Sequence, residues 1–138
     1  MTALNAMTAL QAAALWSGLC ILWMVVLSFR TIFARRSLRV SFGDGGDAVL
    51  TSRSRAFGNA SEYIPACLAI LILMALSGFQ PMWIHAVGGA MFLGRVLHAW
   101  GLAQAKQPSF GRMSGMILTQ LALIGGAGAL IACALGYL

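Results

Sequence analysis

Residues 1–29 carry no charged side chain, and three further stretches, 56–77, 82–105 and 113–138, carry at most one acid or base each. A helix needs about 20 apolar residues to cross the roughly 30 Å hydrocarbon layer of a bilayer. All four stretches meet that length. Inside lipid the backbone must satisfy its own hydrogen bonds, which leaves helices as the economical solution for segments of this kind. With 60% hydrophobic and 9% charged residues, little chain remains to build anything else. The expectation is an all-α, integral membrane four-helix bundle, one domain over residues 1–138. Basic residues follow the first apolar run rather than precede it, and the run is too long for a signal peptide, so an uncleaved first span is expected.

The net charge of +6 is distributed by topology. Arg30, Arg35, Arg36, Arg39, Arg53 and Arg55 belong to the first connection, Lys106 and Arg112 to the third, and only Arg95 lies elsewhere. The second connection and both tails have no basic side chain. Positive charge accumulates on cytoplasmic loops, so loops one and three are expected in the cytoplasm and both termini outside. A bacterial inner membrane suits the short loops. Since topology alone accounts for the basic surface, no nucleic-acid partner is inferred.

Helix one is expected over about 9–33, with the arginines that follow it suited to a helix C-terminus. The stretch Gly43-Asp44-Gly45-Gly46-Asp47 reads as a turn, and Thr51, Ser52 or Ser54 as the cap of helix two. Two carboxylates in a glycine turn lack the remaining ligands of a calcium loop, and no metal site is expected. Ser77-Gly78-Phe79-Gln80-Pro81 closes one helix and opens the next, making a tight hairpin. Ala122, Gly125, Gly126 and Ala129 on helix four, and Gly88, Gly89, Ala90 and Gly94 on helix three, read as close-packing positions. Cys20, Cys67 and Cys133 fall within spans without metal-ligand spacing and read as inert core thiols. Trp83 and Tyr137 suit an outer aromatic belt, with His85 near the same interface.

Arg55, Asn59 and Glu62 stand at i, i+4 and i+7, and Tyr63 is beside them, so a cation, an amide and a carboxylate share one helical stripe. An ionisable group within a membrane helix is costly and marks a site by default. Glu62 should lie about 10 Å from the start of a helix beginning near Ala56. On helix three, Arg95 and His98 should lie about 15 Å and 10 Å from an end near Ala105. Carboxylate, guanidinium and imidazole are therefore expected at similar depth. Pro65 leaves the Ser61 carbonyl without its helical donor. A closed Glu62–Arg95 ion pair tying two helices together is the competing use of these charges.

The runs Ala34-Arg35-Arg36-Ser37-Leu38-Arg39-Val40-Ser41, Arg55-Ala56-Phe57-Gly58-Asn59-Ala60-Ser61-Glu62-Tyr63-Ile64-Pro65 and Gly94-Arg95-Val96-Leu97-His98-Ala99-Trp100-Gly101 closely resemble the MAPEG family, the membrane-associated proteins in eicosanoid and glutathione metabolism. Within it the chain is most similar to leukotriene-C synthase and its bacterial relatives. The resemblance implies a homotrimer of four-helix subunits holding glutathione between neighbours near the cytoplasmic side. It implies glutathione contacts from Arg35, Arg55, Asn59, Glu62 and Tyr63, with Arg36 next to the thiol end. The chain departs from the family pattern in two respects. Tyrosines of helix three that contact glutathione fall here on His98 and Leu102, and the arginine that holds the thiolate falls near Ser109, between Lys106 and Arg112.

The chemistry fits independently. Glutathione has two carboxylates and one ammonium, so Arg35 and Arg55 suit the carboxylates, Glu62 the ammonium, and Asn59 a bridge, with Arg95 and His98 completing the binding group. Lowering a thiol pKa of about 8.5 by about two pH units takes about 2.7 kcal/mol, within reach of one guanidinium in a partly dry site. Arg36 and Arg112 are the catalytic candidates. The second substrate is expected to be a lipophilic electrophile or a lipid hydroperoxide arriving from the membrane lipid. Two rival readings are a proton-coupled small multidrug transporter and a non-catalytic scaffold of the same fold. The transporter gives no reason for an arginine and an asparagine on the stripe of the carboxylate.

Overall fold

The computed structural model describes residues 7–104 and 108–138 and contains four helices: α1 Ala9–Leu38, α2 Ala48–Leu76, α3 Pro81–Leu102 and α4 Phe110–Ala134. The all-α bundle is as expected. α1, α2 and α4 are each long and apolar enough to cross a membrane. α3, with 22 residues, is about 33 Å long and sufficient in length. Its apolarity is what falls short, because it carries Arg95, His85, His98 and four glycines. It packs against all three other helices, while α1 packs on α2 and α3, and α4 on α3 and α2. α2 likewise touches all three others, so α2 and α3 form the centre of the bundle with α1 and α4 on either side.

The surface is inverted relative to a water-soluble bundle. Leu22, Phe29, Phe33, Leu76, Leu121 and Ile124 are each more than half exposed, an apolar exterior far beyond what a monomer in water sustains. Fully buried Leu27, Ile64, Leu71, Met74, Ile84 and Met91 fill the interior with Cys20 and Cys67. Cys133 does not join them; it is partly exposed near the end of α4.

Helix boundaries explain where the polar groups sit. α1 continues past the expected end to Leu38 and stops where Arg39 turns left-handed, φ 54°, with its N–H directed to the carbonyls of Arg35 and Arg36. α2 begins earlier than expected, capped by Asp47, whose carboxylate accepts from the Leu50 N–H at 2.7 Å. Of the three hydroxyls expected to cap it, Thr51 and Ser52 serve elsewhere and Ser54 Oγ is buried without a partner among the described residues. Thr51 donates to Asp44 Oδ2 at 2.8 Å, and Ser52 to the Leu102 carbonyl at 2.7 Å. Ser77 closes α2 at the expected place, Gly78 takes φ +82°, and Pro81 opens α3.

The Ser52–Leu102 bond sets the register of the antiparallel α2/α3 pair. Asn59 is seven residues after Ser52 and Arg95 seven before Leu102, two turns or about 10 Å along each helix. The two side chains arrive at the same level. Glu62 lies one turn beyond, about 15 Å from that bond rather than about 10 Å from a helix start near Ala56.

The closest helix contact is α3 with α4. A Cβ on Gly94 would come within 2.9 Å of the Gly115 carbonyl oxygen, and one on Gly111 within 3.0 Å of the Leu97 carbonyl oxygen. Only hydrogen at these positions lets the two backbones touch. Of the small residues expected to pack on α4, Ala122 and Gly126 are buried, the latter facing Ile70 and Val87, whereas Gly125 has nothing within 4 Å of where its Cβ would be. On α3, Gly88 and Gly89 make room for the Trp16 ring, whose Nε1–H donates to His85 Nδ1 at 2.9 Å.

Candidate functional site

The register established by α2 and α3 opens a cleft at the end of the bundle where α1 meets its arginine-rich connection. Its volume is about 1530 Å³, above the roughly 300–1,000 Å³ of ordinary small-molecule sites. Arg30, Arg35, Arg53, Arg55 and Arg112 line it together with Asp44, Asn59, Glu62 and His98. Leu27, Leu102, Met113 and Met116 give it an apolar side. Five guanidiniums against two carboxylates make a cationic pocket with one acid on the helical stripe. That charge pattern suits an anionic ligand that also carries a positive group.

Most of the residues singled out from the sequence come together here. Arg55 and Glu62 are exposed and on the cleft wall, and Asn59 is half-buried between them. His98 is buried, 5% exposed, yet reaches the cleft. Arg112 enters from the first turn of α4. Arg35 reaches the cleft with its guanidinium already donating to the carbonyls of Gly43 at 2.8 Å and Ser41 at 3.5 Å. It ties down the glycine turn and borders the cleft at once.

Two expectations need correction. Arg95 does not line the cleft. It is 2% exposed, and its donors go to Asn59 Oδ1, to Thr119 Oγ1 (Nε at 3.0 Å) and to the Gly115 carbonyl at 3.5 Å. Its guanidinium carbon lies 5.2 Å from the centroid of the Tyr63 ring, a cation–π distance. Among the described residues Glu62 is not one of its partners, so the closed Glu62–Arg95 pair does not form; the register puts Asn59, not Glu62, opposite Arg95. Arg36, the other correction, is not among the residues of that cleft; it lines an adjoining groove of about 420 Å³ with Arg35, Arg39, Val40 and Ser41, so that Arg35 borders both. Following Arg35 by one residue, about 100° around the helix, it stays outside the cleft lining of its own chain.

Tyr63 stands just behind the cleft wall, its hydroxyl 3.5 Å from Gln120 Nε2. Ser109 is buried and caps α4, accepting from the Arg112 N–H at 3.3 Å while donating to the Gly101 carbonyl at 2.7 Å. A capping role with both hydroxyl functions engaged accounts for a serine there. Lys106 lies outside the described residues.

The residue that sequence reasoning missed is Thr119. Its hydroxyl is fully buried and holds the Arg95 guanidinium from α4. The available signal was its spacing of four from Gly115 within the helix, which suits a hydroxyl bonded back to the Gly115 carbonyl, here at 2.8 Å.

At the mouth, the carboxylate of Asp44 accepts from Thr51 and from the Gly46 N–H at 3.1 Å. These bonds, the Thr51 hydroxyl first, hold its carboxyl below the ordinary carboxylate range. Asp44 and Asp47 thus act as turn and cap acceptors.

The sequence model described as "MAPEG family" matches residues 13–132. The chain belongs to the MAPEG family. This MAPEG chain is 34% identical over 114 residues to "Inner membrane protein YecN" of Escherichia coli strain K12, covering 83% of the chain and 86% of that relative. The protein of the same name in Escherichia coli O6:H1 (strain CFT073) matches equally. No solved structure matches it. Family membership, the similarity to an inner membrane protein and the three apolar helices make this a membrane protein.

Proposed function

We propose that this MAPEG protein binds glutathione in the cationic cleft and presents its thiolate to lipophilic electrophiles or lipid hydroperoxides. The observation that carries the reading is Glu62: one exposed carboxylate on the cleft wall, in a bilayer-spanning helix, flanked by Arg55 and Asn59 and free of the buried arginine. Left to lipid, Arg55 and Glu62 would be costly on an outer helix face. A homotrimer in which a neighbouring subunit covers that face removes the cost, and completes the cleft around the ligand.

Within the cleft Glu62 takes the ammonium, and Arg35 and Arg55 take carboxylates through forked charge-assisted bonds. Arg112 is the better-placed candidate for the thiolate, since Arg36 lies on the other groove of its own chain. Met113 and Met116, adaptable apolar side chains next to Arg112, form the wall on which an apolar acceptor rests. In conjugation the thiolate sulfur forms a bond to the electrophilic carbon and the leaving group departs with its electron pair. We place the protein in the bacterial inner membrane with the cleft toward the cytoplasm, from the arginine-rich loops and the relative's location.

Stopped-flow mixing of purified protein with glutathione tests the catalytic part. The thiolate absorbance band is expected to grow at neutral pH and to be lost in Arg112→Ala while glutathione still binds. Glutathione bound as the neutral thiol in the wild type would overturn it. Turnover of an activated aryl halide then separates an enzyme from a non-catalytic scaffold.

A further inference from the structure

Hydrogen-bond polarity runs in one direction from α4 through α3 to α2. Thr119 has one hydroxyl proton, and the Gly115 carbonyl 2.8 Å away receives it. The two lone pairs of Thr119 Oγ1 then face Arg95, which donates to them from Nε at 3.0 Å and Nη2 at 2.5 Å. Arginine is a donor at every nitrogen and accepts nothing. The group that Asn59 turns toward Arg95 Nη1 must therefore be its carbonyl oxygen Oδ1, as found. An amide turned the other way would set N–H against N–H and leave a buried charge without one of its acceptors. With Oδ1 occupied, the remaining end of Asn59 is the NH2 group, and Asn59 lines the cleft.

We propose that Arg95 and Thr119 are positioning residues that lock Asn59 as a hydrogen-bond donor to the cleft, so that Asn59 reads an acceptor oxygen, carboxylate or carbonyl, of the bound peptide. This deepens the glutathione reading and rests on it. It also divides the labour on the helical stripe: Asn59 and Arg55 address oxygen, and Glu62 alone addresses the ammonium. Neither Arg95 nor Thr119 lines the cleft, yet both set what the cleft recognises. The guanidinium behind Asn59, which has no carboxylate partner among the described residues, polarises its amide in the sense that strengthens donation to an anion.

The test is glutathione binding by calorimetry to the purified full chain in detergent, with helix content and elution volume checked for each variant. Thr119→Val, similar in shape but without the hydroxyl, is expected to weaken binding about tenfold, the equivalent of one hydrogen bond, and Thr119→Ser to restore it. Asn59→Asp is expected to bind more weakly than Asn59→Ala, because the new carboxylate faces the ligand's own oxygen. A donor role is overturned if Asn59→Asp binds as tightly as wild type or more tightly, the result expected of an acceptor for the ammonium. A relay through Thr119 is overturned if Thr119→Val binds like wild type while Asn59→Ala does not. Amide-proton NMR supplies a readout independent of the ligand: in the unliganded wild type the Asn59 NH2 protons should exchange with water and shift in Thr119→Val. Protons shielded from water and unmoved by that change would overturn the orientation. If the wild type binds no glutathione, the functional reading and the ligand assignment for Asn59 both fail, and the NMR result alone decides the orientation.

Discussion

Gly115 is the point where the architecture and the site depend on a single hydrogen atom. In Gly115→Ala the added Cβ would fall 2.5 Å from the Gly94 carbonyl oxygen and 2.8 Å from His98 Cα. Both are backbone atoms of α3 and have no rotamer to swing away. Ordinary contact begins near 3.4 Å, so α3 and α4 must separate by about 1 Å, and overpacking of this kind costs about 1–3 kcal/mol. The separation also stretches the Arg95–Thr119 bonds across the same contact, and hydrogen bonds to a charged group are worth about 1.5–3 kcal/mol. Alanine returns about 1 kcal/mol of helix propensity. The net destabilisation is about 2 kcal/mol or more, roughly a 30-fold fall in the folded-to-unfolded ratio. Titration with sodium dodecyl sulfate followed by circular dichroism measures it, with Gly128→Ala as reference, since nothing lies within 4 Å of a Cβ there. A Gly115→Ala protein as stable as wild type would refute the claim that bare backbone contact holds α3 against α4.

Other contacts of the fold yield further expectations. Asp47→Ala removes the α2 cap at Leu50 and should cost about 1 kcal/mol, seen as faster hydrogen exchange at the Leu50 amide while amides beyond Asn59 are unchanged. The Asp44 carboxyl is held below its ordinary range chiefly by Thr51, so its contribution to turn stability is present at neutral pH and is lost as pH falls through the depressed folded value. Thr51→Val should move the Asp44 titration midpoint upward, read by carboxyl-carbon NMR; an unmoved midpoint contradicts the assigned cause. Trp16→Phe removes the donor to His85 Nδ1 and should destabilise by about 1 kcal/mol, measured in the same detergent titration.

How much of this was legible in the sequence differs between the fold and the site. The spans, the α2/α3 hairpin and the arginine-rich end follow from apolar length, Gly78 and Pro81, and charge, all local properties. The stripe of Arg55, Asn59 and Glu62 was equally legible, because residues on one helix share a face by periodicity alone. Register between helices was not. It is set by Ser52 meeting the Leu102 carbonyl and by Gly94 meeting Gly115, pairings between segments that no spacing rule connects. For that reason depth along each helix puts Glu62 at the level of Arg95, whereas the packed pair brings Asn59 there. The start of α2 was misplaced because four acceptors crowd residues 47–54, and Asp47 captured the Leu50 N–H while Thr51 and Ser52 turned to other partners. Arg36 shares the adjoining groove with Arg35 but, one residue's rotation further on, stays outside the cleft of its own chain.

Equilibrium binding of glutathione to the purified protein, compared between wild type and Glu62→Gln, tests the central claim most directly. The account predicts saturable binding by the wild type and its loss in the amide variant, whose shape is kept and whose charge is gone. Wild-type protein that binds no glutathione, or a Glu62→Gln protein that binds it equally well, would contradict the assignment of this carboxylate as the ammonium anchor.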